Sequence, residues 1–299
     1  QADWLFAQHT RDYENRYDPP WQSTELEGTS FSVLGIDNLP DFHGDVNNPD
    51  LVIFFAGNQY MVVPELLAAF KEEYPEYQRV FAETIPPGLE GNQVEEGALV
   101  IGNMRISLQP DIVTAGKGRM QERSDKDWLS SMKPYAKNKL AIMVPNGNPL
   151  KIAGLQDLAK PTVKVAMPNP EWEGIGERIV KAYRNAGGKE LEYEIMTGKL
   201  SKGSTYLTTM HHRQTPMRIL YGQSDAGPVW VSEAYYHSEL TDNPLEVVEI
   251  ADSVNVKATY VAGQMKDAPH PEAAKAFMEF LTSEKGQQIY QKYGFMSVE

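Results

Sequence analysis

The sequence predicts an α/β protein in which strands and helices alternate, with enough length for two domains. Short apolar runs of strand size recur from residue 51 onward, and stretches with helical periodicity follow several of them. Alternation of this kind indicates a mostly parallel, doubly wound sheet flanked by helices. A chain of 299 residues can bury two separate cores. Its apolar runs stay well below the ~18 residues of a membrane-spanning helix.

The first set of elements begins with an apolar segment. Residues 51–56 are apolar throughout and predict a buried strand, and residues 63–74 are expected to follow it as a helix. A second strand is expected over 78–84 and a third over 111–116. Between these two strands, the prolines of residues 85–88 indicate a break in regular structure.

The second set of elements begins near residue 136 and ends in two helices. Strands are expected over 140–144, 163–167, 226–231, 245–250 and 256–261, and helices over 152–158, 176–186 and 211–221. Two further helices are expected near the C-terminus, because apolar residues recur there at helical spacing and Gly294 follows the last turn. These apolar residues are Ala273, Phe277, Phe280, Leu281, Ile289 and Tyr290.

Composition and charge exclude several classes of partner and site. The formal net charge of −13 argues against nucleic acid or an anionic membrane surface as a partner. The absence of cysteine excludes disulfides, thiolate metal ligands and cysteine nucleophiles. No Gly-x-Ser-x-Gly elbow, phosphate loop or His-Glu-x-x-His helix occurs. We therefore expect a binding function without a catalytic centre, a cofactor or direct membrane insertion.

Residues 1–48 lack a clear period but contain aromatic residues such as Trp4 and Tyr13. Their aromatic content predicts an N-terminal extension that packs on the body of the protein instead of a free tail. The chain begins at Gln1, followed by the small residue Ala2. This start is typical of a secreted protein whose signal peptide has been removed.

Two segments resemble one protein family. The C-terminal sequence PEAAKAFMEFLTSEKGQQIYQKYGF and the segment GQSDAGPVW are similar to periplasmic substrate-binding proteins of ABC transporters, most closely the molybdate-binding type. The resemblance extends from Leu51 to Phe295. It implies a periplasmic protein with the two-lobed type 2 binding fold. Such a protein would capture a small ligand, in this family an oxyanion, in the cleft between its lobes and pass it to a membrane permease.

The same resemblance implies how the chain is divided between the lobes. Lobe 1 would comprise residues 49–134 together with residues 252–299, and lobe 2 would comprise residues 135–251. Residues 1–48 would remain an extension outside both lobes. The chain would therefore cross twice between the lobes.

Four strand-to-helix junctions would form the ligand site, because loops and helix N-termini gather at the carboxyl ends of parallel strands. Two of these junctions lie in lobe 1. Asn58 stands where the family has a ligand-binding serine, although asparagine is also a common helix cap. The second junction extends from Thr84 to Gly88. There Pro86 and Pro87 replace serines of the family and remove N–H donors.

The two junctions of lobe 2 supply the remaining candidates. In the first, a helix N–H would meet the anion, and in the second, cationic residues would start a helix. The candidates are Glu171, Trp172 and Ile175 in the first junction, and His211, His212, Arg213 and Trp230 in the second. Three cationic side chains at a helix start oppose the helix dipole unless an anion offsets them. This arrangement favours a ligand role for at least one of the three.

Two other functions stay open from the sequence. A metal site could combine His211 and His212 with the carboxylates of Glu83 and Asp225. One of the two histidines would then ligate, because neighbours on a helix point about 100° apart. Alternatively, the chain would be a docking subunit that keeps the fold without transport, and the loss of the family's serines in the second junction leaves this alternative open.

Overall fold

The computed structural model describes residues 32–33, 36–37, 41–101, 104–171, 173–209 and 212–298. Most of the predicted N-terminal extension, namely residues 1–31, 34–35 and 38–40, lies outside the described residues. Contacts between Cα atoms divide the chain into two compact units. Unit 1 comprises Gln1–Lys137 and Ala258–Glu299, and unit 2 comprises Asn138–Lys257.

Strands and helices alternate over most of the described chain. The strands are β1 (Ser32–Val33), β2 (Ile36–Asp37), β3 (Asp41–Gly44), β4 (Leu51–Ala56), β5 (Val80–Ile85), β6 (Leu99–Ile101), β7 (Met104–Ile106), β8 (Ile112–Gly116), β9 (Leu129–Asn138), β10 (Leu140–Pro145), β11 (Val165–Met167), β12 (Thr205–Leu207), β13 (Gly227–Trp230), β14 (Leu245–Glu249) and β15 (Ala258–Met265). The longer α-helices are α1 (Val63–Glu73), α2 (Pro87–Glu96), α3 (Lys117–Asp125), α4 (Gly174–Tyr193), α5 (Gln214–Leu220), α6 (Val231–Glu239), α7 (Pro271–Thr282) and α8 (Glu284–Lys292). Shorter helical turns occur at Gly57–Gln59, Leu155–Ala159, Glu194–Gly198 and Lys199–Ser201.

Unit 1 is built on a six-stranded sheet in the order β3-β5-β4-β8-β15-β9. Strands β5, β4 and β8 are parallel, whereas β3 runs antiparallel to β5 and β15 runs antiparallel to β8. All six residues of β4 are buried, as expected of a strand with both faces covered. The three parallel strands end at one edge of the sheet, at Ile85, Ala56 and Gly116.

The two C-terminal helices pack on unit 1 through the apolar stripe that the sequence predicts. Phe277 of α7 contacts Phe55 of β4 and Phe70 of α1 edge-to-face, with ring centroids 6.2 and 5.0 Å apart. A Cβ atom on Gly286 would lie 2.2 Å from the carbonyl oxygen of Phe280, so α7 can turn into α8 only with glycine at this position. The predicted helix, break and second helix are confirmed.

The sequence misses several features of unit 1. The expected break at residues 85–88 is wrong: Pro87 is the first residue of α2, where a proline is tolerated because its N–H would have no helical partner. Helix α3 is not predicted, because Met120 and Arg123 are the buried residues of an otherwise charged segment. Strand β9 is not predicted, because most of its first six side chains are exposed and do not alternate with apolar ones.

Unit 2 contains two sheets. Strand β10 lies between β13 and β14 and is antiparallel to both. Strands β11 and β12 pair in parallel, and a parallel bridge between Val165 and Ala226 joins β11 to the start of β13. A Cβ atom on Gly227 would lie 2.3 Å from the Thr215 methyl carbon, so this glycine allows α5 to approach β13. Strands β11, β12 and β13 therefore share one direction and end at a common edge.

A buried ammonium group holds the segment before β12. Lys199 is 1% exposed. Its Nζ donates hydrogen bonds to the carbonyl oxygens of Leu158, Lys160 and Val163, at 2.7, 2.6 and 2.5 Å. Three carbonyl acceptors replace the water that a buried ammonium loses, and they connect Lys199 to the loop after Leu155–Ala159.

The helix expected over residues 211–221 begins at Gln214 instead. His212 has a φ of +54°, in the left-handed region that does not continue an α-helix. Helix α4 extends beyond its expected end and is interrupted at Gly187 and Gly188, whose backbone angles are not helical. Within the described residues, no helix combines the length and the apolar character that a bilayer crossing requires.

We predict that Phe70→Ala lowers the free energy of unfolding by about 3–5 kcal/mol. Phe70 is fully buried and contacts the rings of Phe277 and Phe280, so its removal leaves a cavity. Urea unfolding followed by circular dichroism measures the loss. Tyr193→Ala, at a residue that is 64% exposed, is the control and should change the stability by no more than about 0.5 kcal/mol. Equal losses in the two variants would contradict the packing described for α1.

Candidate functional site

Three strands of unit 2 end and three helices begin at one edge. Strand β11 ends at Met167, β12 at Leu207 and β13 at Trp230, and helices α4, α5 and α6 follow these strands. Because the strands point in the same direction, the connecting segments gather at their carboxyl ends. Ligands of open α/β sheets commonly bind at such an edge, which makes it the candidate site of unit 2.

The segment between β11 and α4 packs tightly on the helix that it precedes. A Cβ atom on Gly176 would lie 2.6 Å from the backbone of Pro170, so only glycine allows this approach. The Asn169 side chain accepts the N–H of Glu171 at 3.0 Å, and the Asn169 carbonyl accepts the N–H of Glu173 at 2.8 Å. These contacts hold the segment in a turn against the first residues of α4.

Glu173 is the buried acid of this turn. One of its carboxyl oxygens accepts the Thr208 hydroxyl at 2.5 Å, and the other accepts the backbone N–H of His212 at 3.3 Å. Burial raises the pKa of Glu173 from its ordinary value of 4.5 to about 7. Glu173 therefore joins the start of α4 to the segments that follow β12.

His212 is held on a second side by Glu233. The Nδ1 atom of His212 lies 2.9 Å from a carboxyl oxygen of Glu233, whose other oxygen accepts the N–H of Trp230 at 3.3 Å. Burial, and then the charge of Arg213, lowers the pKa of His212 to about 3. Burial raises the pKa of Glu233 to about 7. The hydrogen bond thus joins two groups that the interior favours in their uncharged forms.

A small cavity lies among these groups. Its volume of about 10 Å³ is at the lower limit for one water molecule. The cavity is lined by Pro168, Glu173, Ile175, His212, Thr215, Pro216, Val229 and Glu233. Residues of three separate segments therefore line one small cavity.

The structure brings together part of the set predicted for lobe 2. Ile175 and His212 line the cavity, and the charge of Arg213 is near enough to lower the pKa of His212. Trp230 is buried, with the Arg178 guanidinium 5.8 Å from its ring centroid. The side chain of Glu171 is exposed. Trp172 and His211 lie outside the described residues.

The residues predicted for lobe 1 belong to unit 1. Asn58 lies in the helical turn Gly57–Gln59 and donates a hydrogen bond to the Tyr260 hydroxyl at 2.5 Å. It caps no helix, so the capping interpretation is wrong. The Thr84 hydroxyl donates to Asp41 of β3 at 2.8 Å. Gly88 is the second residue of α2, so the predicted ligand loop is in part helical.

The carboxylates proposed as metal ligands have different surroundings. Glu83 is fully buried in β5 of unit 1. Asp225 of unit 2 accepts the backbone N–H of Lys164 at 2.7 Å. Within the part of the chain that the structure describes, no three residues of the types His, Cys, Asp and Glu form a group suited to a metal ion.

Sequence reasoning misses three residues of the hydrogen-bonded group around His212: Glu173, Thr208 and Glu233. They are separated by 35 and 25 positions along the chain, and neither short motifs nor periodicity relates residues so far apart. One signal was available for Glu233. It lies three positions after Trp230, the spacing at which an acid reaches back to the residue that caps a helix.

A family model described as "Bacterial extracellular solute-binding protein" matches residues 51–296. The sulfate-binding protein of Escherichia coli strain K12 is 28% identical over 185 residues, which cover 57% of this chain and 55% of that protein. The chain thus spans about half the length of the curated relatives that it matches.

The solved structures that are similar to this chain include two named for the anion that they bind. The periplasmic molybdate-binding protein of Azotobacter vinelandii has a TM-score of 0.67 at 15% identity, with 83% of this chain and 100% of that chain covered. The sulfate-binding protein SubI of Mycobacterium tuberculosis H37Rv has a TM-score of 0.64 at 19% identity, with 83% and 86% covered. At such identities the similarity shows a shared fold, and the predicted two-lobed α/β class is confirmed.

We predict that the wild-type chain loses stability relative to Glu173→Gln as the pH rises from about 4.5 to about 7. Below this window the Glu173 carboxyl is protonated in both the folded and the unfolded chain. Within the window the unfolded chain releases the proton while the folded chain retains it, because the folded pKa is about 7. The difference should grow by at most about 1.4 kcal/mol per pH unit.

Urea unfolding at several pH values measures this difference. The matched control is Glu171→Gln, at an exposed carboxylate two residues earlier. The control should follow the pH dependence of the wild type. A constant difference between wild type and Glu173→Gln across the window would contradict burial of a protonated Glu173.

Proposed function

This chain belongs to the bacterial extracellular solute-binding proteins, and from that membership we propose that it binds a small oxyanion outside the cytoplasm for uptake by an ABC transporter. In this proposal the chain performs no chemistry on the solute. It binds the anion at the carboxyl edge of β11, β12 and β13 and delivers it to a membrane permease. Asn58, Thr84 and Gly88 of unit 1 remain further ligand candidates.

The main support for an anion is the positive character of this edge. Helix α4 runs without interruption from Gly174 to Ala186, and its first turn lies at the edge with Ile175 beside the cavity. A helix N-terminus carries partial positive charge and exposed N–H donors. Arg213 adds a full charge that acts on both His212 and Glu233. These features favour a negatively charged ligand with several oxygen acceptors.

The two buried acids are compatible with an anionic ligand. Burial raises the pKa of Glu173 and Glu233 to about 7, so each is largely protonated below neutral pH. A protonated carboxyl group donates a hydrogen bond and does not repel an anion. The names of the relatives point to the same class of ligand, because they specify sulfate and molybdate.

A thermal-shift screen of the full chain tests the proposal. The panel holds sulfate, molybdate, tungstate, phosphate and small carboxylates, each at matched ionic strength. A ligand present at 100 times its dissociation constant adds about 2.7 kcal/mol of stability, which raises the unfolding midpoint by several degrees. A selective response to oxyanions is expected. No response across the panel would contradict the proposal and favour a docking subunit.

We predict that Arg213→Ala weakens binding of the responding oxyanion at least tenfold, or about 1.4 kcal/mol. The variant removes the cation whose charge acts on His212. Isothermal titration calorimetry measures the affinity. The control is Arg184→Ala on α4, whose guanidinium is 57% exposed and paired with Glu192. An unchanged affinity in Arg213→Ala would make Arg213 a structural residue.

One observation favours a metal ion as a second candidate ligand. A carboxylate commonly orients a metal-binding histidine through its other ring nitrogen, and Glu233 is 2.9 Å from Nδ1 of His212. Equilibrium dialysis against Zn²⁺, Cu²⁺, Ni²⁺ and Fe³⁺ tests this alternative. Stoichiometric metal should be lost in His212→Gln and retained in the control His270→Gln. His270 is a matched control because its Nδ1 also lies 2.9 Å from a carboxyl oxygen, that of Asp111. Absence of bound metal in the wild type would reject it.

A further inference from the structure

A tight turn after strand β10 contains the single Asn-Gly pair of the sequence, Asn146-Gly147. The N–H of Asn148 donates to the carbonyl oxygen of Pro145 at 3.0 Å, and Gly147 has a φ of +77° while the φ of Asn146 is not positive. A hydrogen bond from the fourth residue to the first, with a positive φ at the third residue alone, defines a type II turn. The backbone of the pair is therefore held in one conformation.

The pair has a chemistry of its own. Asparagine is thermolabile, and a following glycine has no side chain that hinders ring closure. The backbone nitrogen of Gly147 loses its proton to base and attacks the side-chain carbonyl carbon of Asn146. The new C–N bond closes a succinimide ring, and the side-chain nitrogen takes a proton from water and leaves as ammonia. A water molecule then opens the ring to aspartate or isoaspartate, so the reaction needs only water and base.

The surroundings of the pair leave this reaction room. Asn146 and Gly147 are both exposed, and a Cβ atom on Gly147 would have no other atom within 4 Å. Within the part of the chain that the structure describes, no hydrogen bond holds the side-chain amide of Asn146. The amide can therefore rotate toward the backbone nitrogen, and water and base reach both groups.

One contact opposes the reaction. The N–H of Gly147 donates to a carboxyl oxygen of Glu246 on strand β14 at 2.8 Å. The proton in this hydrogen bond is the one that must leave before the nitrogen can attack, so the bond must first be broken. The negative charge of Glu246 also disfavours the amide anion that deprotonation produces, because two like charges would then lie side by side.

The sheet of unit 2 fixes the position of this acceptor. The pairing of β10 with β14 places Glu246 opposite Val144, two residues before Asn146. The N–H of Asn146 donates to the carbonyl oxygen of Pro244 at 2.9 Å, which holds the turn against the start of β14. The contact between Gly147 and Glu246 therefore follows from strand register and does not depend on a chance orientation of the side chain.

We propose that Asn146 is a site of spontaneous deamidation in unit 2 and that Glu246 sets its rate by holding the N–H of Gly147. The product adds a second carboxylate beside Glu246 at the end of the β10–β14 pair. The turn does not belong to the carboxyl edge of β11, β12 and β13, and none of its residues is a candidate for binding the solute. This proposal is therefore independent of the proposed function.

Peptide mapping by mass spectrometry tests the proposal on the full chain, warmed at mildly alkaline pH. Asn146 should be converted slowly in the wild type and about threefold to tenfold faster in Glu246→Ala, the factor that corresponds to one hydrogen bond. Hydroxylamine cleaves a succinimide and should cut the chain between Asn146 and Gly147, to a greater extent in Glu246→Ala. This cleavage identifies the ring intermediate directly.

Three comparisons separate this contact from a general loosening of the chain. Glu246→Gln keeps an acceptor without the charge, and its rate should lie between those of the wild type and Glu246→Ala. The matched control, Glu249→Ala, removes an exposed carboxylate of the same strand and should react like the wild type. Asn148 is an internal standard, because the nitrogen of Pro149 carries no hydrogen, and its amide should survive in every variant. Should Glu246→Ala fail to fold, Glu246→Gln must still exceed the wild-type rate.

Two results would overturn the proposal. Equal conversion of Asn146 in the wild type, Glu246→Gln and Glu246→Ala would show that Glu246 does not set the rate. An intact Asn146 amide in all three, with no cleavage by hydroxylamine, would show that the turn is not a modification site. Neither result concerns the solute, because the oxyanion screen does not depend on this turn.

Discussion

Ionisable side chains buried inside each unit constrain how the segments of that unit are arranged. An ionisable group that is removed from water must either gain a partner or become neutral. In unit 2, the carboxyl groups of Glu173 and Glu233 hold the backbone and the ring of His212. In unit 1, Arg123 holds Glu90. The partners come from segments far apart along the chain, so each contact joins two segments that the sequence separates by 20 residues or more.

The same constraint determines the chemistry at the edge of unit 2. Near neutral pH, Glu173 and Glu233 can each change from a hydrogen-bond donor to an anion. Arg213 keeps its positive charge throughout, since guanidinium groups do not titrate in this range. The edge therefore favours anions more strongly below neutrality than above it. For the proposed oxyanion, the affinity would therefore fall as the pH rises through about 7.

The sequence predicts the strands and helices whose buried faces are apolar. It misses those whose positions depend on charged side chains. Strand β4 is a continuous apolar run and helices α7 and α8 carry apolar residues at helical spacing, and all three occur as expected. Helix α3 has a charged sequence, and its position depends on the buried Arg123. At the candidate site, the junctions follow from strand order. The left-handed backbone of His212 does not, because it depends on carboxyl groups distant in sequence.

The burial of Lys199 among three carbonyl oxygens determines when its amine can react with a reagent in solution. An amine that is 1% exposed cannot meet an acylating or carbamylating reagent in the folded chain. A carbamylated lysine would be uncharged and bulkier, and its Nζ would keep one N–H in place of the three that the ammonium offers to the carbonyls of Leu158, Lys160 and Val163. Modification of this one side chain therefore records that the molecule met the reagent before it had folded. Exposed lysines react at any time and keep no such record.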